Sequence, residues 1–512
     1  MPHARPLLLA LPLALAGCNL GPDYARPALE IPPAFRATAT SAELAWPETG
    51  WWHAFRSPEL DGLIAEARAY NQNLAAAAAR VMQADATVAI NGAPLLPTLS
   101  ANGNASYSRA GSSRRGGGLA GVTTGGGAVT TSTNTGAGVT TQTTGTTGST
   151  VVSGLGGGGG SRYSDSRQYS LQGAASYEAD FWGRNRATYE SAEASAVASR
   201  FDQQTVALTV VTSVALTYFQ ALGAADRLAV ARRNLADARS SLKVFQVRVQ
   251  VGTGTALDVA QEEALVAGQA AQIPFLQSQL DQQVIGLGIL VGRPPEAIHV
   301  AADTLNTLPV PSIGIGLPSE LLARRPDVAY AEANLVAQNG NIRAARAAFF
   351  PAVTLTTQGG LESLALSALL GPGTLFFTAA SSISQTIFDN GLRQGDLDLA
   401  KGRFAELVAA YRQAVLQAFT DADTALTTVR YTAEQEALER QAVAVAQRAA
   451  DIAHAQLAAG TVDITTVLNT QLTLYGDQDQ LALVRLTHFQ ALINLYKALG
   501  GGFTSASVPG TS

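Results

Sequence analysis

Cysteine is almost absent from this 512-residue chain, and since Cys18 stands alone no internal disulfide can form. Charge is sparse as well, at 14% of residues with a net charge of −5 and no basic block, which offers nothing to nucleic acid. Beyond the N-terminus, no uninterrupted apolar run approaches the roughly 18–20 residues of a membrane helix. If this chain crosses a membrane, strands must do it. Catalytic signatures are missing too. His3, His53, His299, His454 and His488 are scattered, no zinc-binding helix or Gly-x-Ser-x-Gly occurs, and the Gly156–Gly160 run lacks the Lys-Ser/Thr of a phosphate loop. Nothing in these patterns asks for an enzyme, a metal or a cofactor.

What the chain does have is 47% hydrophobic content, much of it alanine, arranged as a long internal duplication. At Asn341–Leu361 a helical pattern meets Pro351 and becomes an alternating strand. The same device surrounds Pro97, 254 residues earlier. Phe181 in DFWGRNR and Phe388 in IFDNGLR lie 207 apart, while Gly252 and Gly460, and likewise Gly292 and Gly500, lie 208 apart. The slip of register between the first pair and the rest is accounted for by one Gly/Thr-rich insert, 110–161, in the first copy. Its composition cannot offset the entropy of ordering, so it is expected to form a flexible surface loop.

The N-terminus reads as a secretory signal: Arg5, the apolar run LLLALPLALA, then Leu15-Ala16-Gly17-Cys18. Leu-Ala-Gly-Cys resembles the bacterial lipoprotein cleavage box, which implies covalent lipid on Cys18. Asn19, where Asp would mark inner-membrane retention, favours the outer membrane.

Residues 99–107, 169–181 and 352–361 alternate apolar and polar, and 375–388 does so less cleanly, giving four strands near the roughly 9–11 residues of a tilted transmembrane strand. The alternation alone also fits a small soluble sheet with one wet face. In lipid, four strands leave open edges, so a barrel requires an oligomer: two chains would give eight strands and three would give twelve. After each strand pair comes a helical stretch. Ala207, Val214, Ala221, Leu228, Leu235, Leu242 and Val249 recur every seven residues, a coiled-coil seam reaching roughly 65 Å at about 1.5 Å per residue. Each long helix ends at a glycine turn, VGTGTALD (with Gly252 and Gly254) and AGTVDITT (with Gly460), and a second helix runs back. Pro274 is expected to kink the first returning helix unless that helix begins after it.

Leu317–Thr356, CNLGPDYARP at Cys18, WWHAF at Trp51 and the two turn motifs resemble the outer-membrane factors of tripartite efflux systems, the TolC, OprM and NodT-like lipoproteins. The resemblance implies a mixed α+β membrane protein, mainly long coiled-coil helices forming an α-barrel. Its four strands would join those of two other copies in a trimeric 12-stranded β-barrel. It further implies an adaptor and an inner-membrane pump, of the RND type, docking at periplasmic tips. The expected plan is a lipoprotein signal (1–17), a lipid-anchored segment with the first helices (18–95) and a first strand pair (96–182). A helical hairpin with its tip near 252–258 (183–317), a second-repeat helix (318–350) and a second strand pair (351–388) come next. A second hairpin with its tip near 460–466 (389–500) and a tail (501–512) complete it. The function expected is a passive exit duct for small molecules. Protein secretion, or a trimeric adhesive lipoprotein, are the other readings. Family ducts close at the tips through carboxylates. Asp258 matches one of these, but Thr466 and Asn469 stand where the second turn is expected to carry aspartates, leaving Asp463 nearby. Either aspartate could instead simply cap its helix.

Overall fold

Glycine geometry repeats the duplication in three dimensions. The computed structural model describes residues 21, 24–29, 31–36, 46–111, 163–300, 304–311, 313 and 318–504, so Cys18 and most of the 110–161 insert lie outside the described residues. Two compact units result: a helical unit, from the chain up to Leu96, Glu178–Val353 and Ile383 onward, and a sheet unit, from Pro97–Tyr177 and Thr354–Ser382.

In the helical unit, α1 (Pro58–Tyr70) and α2 (Gln72–Gly92) correspond to α5 (Pro318–Arg324) and α6 (Pro326–Ala347). Both α3 (Arg184–Gln250) and α7 (Leu392–Ala458) have 67 residues, and the returning α4 (Ala256–Val291) and α8 (Ile464–Ala498) have 36 and 35. The long helices start after Gly183 (φ 71°) and Gly391 (φ 86°), left-handed positions that favour a residue without Cβ. At the far ends, Gly292 (φ 77°) lies against Tyr70, the last residue of α1, and Gly500 (φ 85°) against Arg324, the last of α5. A Cβ at these glycines would stand 2.2 Å and 1.9 Å from the respective carbonyl oxygens.

The α3 seam faces inward, with Val214, Ala221, Leu228 and Leu235 buried along with the intermediate Ala224, Ala231 and Ala238. On α7, Ala446, Ala450, Ala453 and Leu457 do the same. One stretch of α3 is apolar enough by length and composition to cross a membrane. Its side chains instead build a core: Val214, Tyr218, Phe219 and Leu222 pack with Phe55, Leu60 and Phe489. Phe219 stacks on Phe489 at 5.1 Å, and Trp51 of WWHAF, a 3-10 turn, stacks on Tyr496 at 4.7 Å. A second core gathers Leu321, Val328 and Leu335 with Tyr411 and Phe419.

Two sequence expectations are corrected here. The helix expected over 318–350 is broken at Arg325, because Pro326 holds the preceding residue extended (φ −108°, ψ 118°), and it ends at Ala347 rather than at Phe350. The Phe350 ring stacks on Trp182 at 4.8 Å, whose Nε1 donates to the Pro351 carbonyl at 2.7 Å. α4 begins before Pro274 and runs through it, with Pro274 exposed.

The sheet unit contains β1 (Thr98–Gly111), β2 (Tyr163–Ala179), β3 (Ala352–Ser363) and β4 (Leu375–Ser384) in the order β1-β2-β3-β4. β1 and β2 are antiparallel, with Leu99 opposite Ala175, Ala101 opposite Gly173 and Ala105 opposite Tyr169, so the alternating apolar faces coincide. Leu99, Leu375, Phe377 and Ile383 are 84%, 78%, 75% and 74% exposed on the single chain. β2 stops two residues before Phe181, whose N–H turns back to the Ala179 carbonyl, and β4 stops at Ser384 rather than 388. After β4, Gln385 donates its side-chain amide to the carbonyls of Phe349 and Thr386, and Asn390 (φ 55°) with Gly391 turns the chain into α7.

Gly500→Ala is expected to lower stability by at least about 1–3 kcal/mol from backbone strain alone, before its clash with Arg324. Gly402→Ala, at an open helical position, should be neutral or slightly stabilising. Denaturant unfolding of the detergent-solubilised protein separates the two.

Candidate functional site

Both hairpin turns are built by the same hydrogen bonds. At the end of α3, the Gly252 N–H (φ 80°) donates to the Val249 carbonyl at 3.0 Å and the Thr253 N–H to Arg248 at 2.8 Å. At the end of α7, Gly460 (φ 73°) donates to Leu457 at 3.1 Å and Thr461 to Gln456 at 2.9 Å. These paired bonds are the Schellman arrangement, and each threonine adds its hydroxyl to the same carbonyl as its own N–H. Gly254 keeps an ordinary φ, but a Cβ there would press on Arg248 and Val249.

The returning helices start with complementary caps. In the first turn, Thr255 is the N-cap: its hydroxyl accepts from the Asp258 N–H at 3.2 Å, while the Asp258 carboxylate accepts from the Thr255 N–H at 2.8 Å. In the second, Asp463 is the N-cap, and its Oδ1 accepts from both the N–H (3.0 Å) and the hydroxyl (2.6 Å) of Thr466. Offset by the repeat of 208, Asp463 occupies the place of Thr255 and Thr466 that of Asp258. Acid and hydroxyl have exchanged positions, so Thr466 keeps the cap intact while each turn retains one carboxylate. The Thr466 hydrogen bonds hold the Asp463 carboxyl below its usual range. Asn469 is exposed three residues beyond Thr466, and Asp463 and Thr466 are exposed too, whereas Asp258 is half-buried.

The two turns are tied together. Arg248 of α3 donates to the Leu457 carbonyl at the end of α7 (3.1 Å), and Gln471 of α8 donates to Ser241 of α3 (2.9 Å) while lying 3.1 Å from His454 Nε2 of α7. Pro97 and Pro351 immediately precede β1 and β3 at 98 and 352.

A buried polar knot joins α7 to α8. Glu436 is bonded to Arg440, and it lies 3.3 Å from Arg485 Nη1 and 2.6 Å from His488 Nδ1. Arg485 Nε also donates to the Leu305 carbonyl at 2.9 Å. Burial pushes the Glu436 carboxyl up, but the His488 hydrogen bond and the two guanidinium groups outweigh it and leave it below its ordinary value. No motif spacing announces this group, because Glu436 and His488 are 52 residues apart and meet only when the hairpin closes.

These features belong to a known architecture. The model of the outer membrane efflux protein family matches residues 63–293 and 317–501. The chain belongs to the outer membrane efflux protein family. This efflux channel is 36% identical over 501 residues to the pyoverdine export outer membrane protein OpmQ of Pseudomonas aeruginosa, covering 97% of each chain. To the toluene efflux pump outer membrane protein TtgF of Pseudomonas putida it is 30% identical over 511 residues, covering 98% of this chain and 97% of that one. Among solved structures, the outer-membrane channel OprN superimposes with a TM-score of 0.81 at 25% identity over 95% of this chain and 99% of that one. The open state of the Neisseria gonorrhoeae MtrE channel does so with 0.79 at 28%, over 95% and 99%. It is an outer-membrane channel that extends into the periplasm, a transport protein and not an enzyme, from a family that uses no cofactor. Channels of this family form trimers and work with an adaptor and an inner-membrane pump.

Glu436→Ala should cost about 3–5 kcal/mol, because it strands the buried Arg485 guanidinium and takes away the buried hydrogen-bond partner of His488. The Glu436 pKa is depressed in the fold, so this contribution is full above the ordinary value of 4.5 and is lost as pH falls through the lower folded value. Unfolding of both proteins between neutral pH and about pH 3 checks magnitude and direction. At the second turn, Asp463→Asn preserves an oxygen that can cap α8 and Asp463→Ala does not. If Asp463 lines the constriction, both variants lower cation selectivity in planar bilayers, and only the alanine variant also lowers the melting temperature. Unchanged selectivity in both leaves Asp463 as a cap alone.

Proposed function

We propose that three copies close their four-stranded sheets into one 12-stranded outer-membrane barrel, and that the hairpin turns at 252–258 and 460–466 are its periplasmic tips. The observation carrying this reading is the sheet itself: β1 and β4 are edge strands of a sheet whose leucine, phenylalanine and isoleucine side chains stay largely exposed on one chain. In hydrocarbon, unpaired edge groups cost several kcal/mol each, and pairing β1 of one copy with β4 of the next removes every edge. Covalent lipid on Cys18 anchors the N-terminal segment to the same membrane, and the 110–161 insert, between β1 and β2, faces the exterior.

The cargo is a small organic molecule delivered by an adaptor and a pump of the RND type. Relatives of similar length carry the names of pyoverdine export, toluene efflux and, for CusC of Escherichia coli at 28% identity, cation efflux, so one scaffold serves chemically different cargo. With a single cysteine and two methionines in the whole chain, few soft ligands are available for a soft metal cargo. Organic export is the better fit. Asp258 and Asp463 supply the carboxylates of the constriction, with Thr466 and Asn469 as neutral neighbours.

The mass of the protein extracted from outer membrane, with bound detergent subtracted, is expected to equal three chains, and the same preparation should conduct ions in planar bilayers. A stable monomer would overturn the barrel. Cys18→Ser should remove the acyl mass seen by intact mass spectrometry while leaving the conductance in place.

A further inference from the structure

One turn beyond the Asp258 cap, α4 carries Glu262 on the same face as Leu265 and Gln269, which are also buried. Glu262 has no exposed surface, and neither of its carboxylate oxygens has a hydrogen-bond partner. Leu265, one turn farther on, belongs to an apolar cluster drawn from all four hairpin helices: Phe245 of α3, Ala453 of α7, Val467 and Tyr475 of α8. An unpaired carboxylate in such a place is a poor guest, whereas a neutral carboxyl is tolerated.

Among the described residues, no cation at this level answers it. On α4 itself, Asp258 is held in the capping box and Glu263 is exposed. From α3, Arg248 is committed to the Leu457 carbonyl, Lys243 is exposed, and Asp237 is another acid. From α7, Asp451 accepts from Gln447, and His454 contacts Gln471. From α8, Asp463 is bonded to Thr466, and the hydroxyl of Tyr475 is raised in pKa by burial and then by Asp237 and Glu262, placing that ring within electrostatic reach of both acids. Gln471 adds a third buried oxygen without a hydrogen-bond partner, Oε1. Burial alone pushes the Glu262 carboxyl up to about 7.

We propose that Glu262 is a proton-operated latch of the hairpin turns: neutral, it allows the α3–α4 and α7–α8 turns to pack together; ionised, it loosens them. The inference rests on the reading of these turns as the gated end of the duct. Its sign follows from linkage. A carboxyl whose pKa is raised by folding lends full stability to the packing below its ordinary value of 4.5, and that stability is lost as pH rises through about 7. Acid closes the turns and alkali releases them.

The test uses the full-length protein in planar bilayers, titrated from about pH 5 to about pH 9, with infrared titration of the protonated-carboxyl band on the same preparation. Channel opening is expected to rise with the slope of a single proton, the ionised fraction of Glu262 going from about one tenth to about nine tenths between one unit below and one unit above its pKa. Glu262→Gln and Glu262→Leu should both conduct at the acid-side level across the whole range, and Glu262→Gln should remove the band that titrates near neutrality. His454→Gln, which deletes the competing titratable group, should keep the transition. The latch is overturned if Glu262→Gln keeps the wild-type pH response, if His454→Gln abolishes it, or if opening is flat while the infrared band still titrates. A protein silent at every pH removes the gate reading beneath it, and the infrared band, which reports the proton with or without a pore, tells that failure from the others.

Discussion

A sheet of four strands cannot end in hydrocarbon. Every unpaired N–H and C=O at its edges would give up hydrogen bonds to water and find no replacement, a loss of several kcal/mol per group that no side chain can offset. β1 and β4 are the edges of this sheet. The requirement to close them explains why strands with so few charges leave their leucine, phenylalanine and isoleucine side chains on the surface of one copy. It also explains why the strands run longer than the minimum span, 14 and 17 residues in β1 and β2, since tilted strands of a closed barrel need length as well as apolarity.

The helical unit solves a different problem, namely how to build long walls from two short instructions. Each copy of the duplication supplies a break, a 67-residue helix, a glycine turn and a return helix. Alanine along the seam lets the helices approach closely, and bulky residues gather near Phe55, Phe219 and Phe489, where WWHAF, α1 and α8 pack against the middle of α3. That concentration settles the role of the most apolar part of α3. By composition it could cross a membrane, yet its valines and aromatics are used up in packing against other helices.

Polar groups occur where the walls must hold a particular alignment. The Glu436 knot joins α7 to α8 midway along their hairpin, and Arg248 and Gln471 join one hairpin to the other near the turns. Of the two buried acids among the described residues, Glu436 is paired and Glu262 has no hydrogen-bond partner. Its cost is the basis of the proposed sensitivity to protons, since a group that is strained in one packed state favours whichever state relieves it.

Local patterns in the chain carry the duplication, the alternating strands, the heptad seam, the proline junctions and the glycine turns. These depend on local sterics, on φ at Gly252 or Gly460 and on the missing N–H of Pro351, and so are readable without the rest of the molecule. Ends of elements were less readable. β4 stops where Gln385 finds the carbonyl of Phe349, and the helix before β3 stops where Phe350 finds Trp182, partners far away in the chain. Which polar groups meet depends on how the helices pack. The exchange of Thr255 and Asp258 for Asp463 and Thr466 is visible in the letters, but only the caps show that the two turns remain equivalent. Nothing local distinguishes Glu262 from the exposed Glu263 beside it; the difference is which face of α4 the other three helices cover, and burial is a property of the assembled helices.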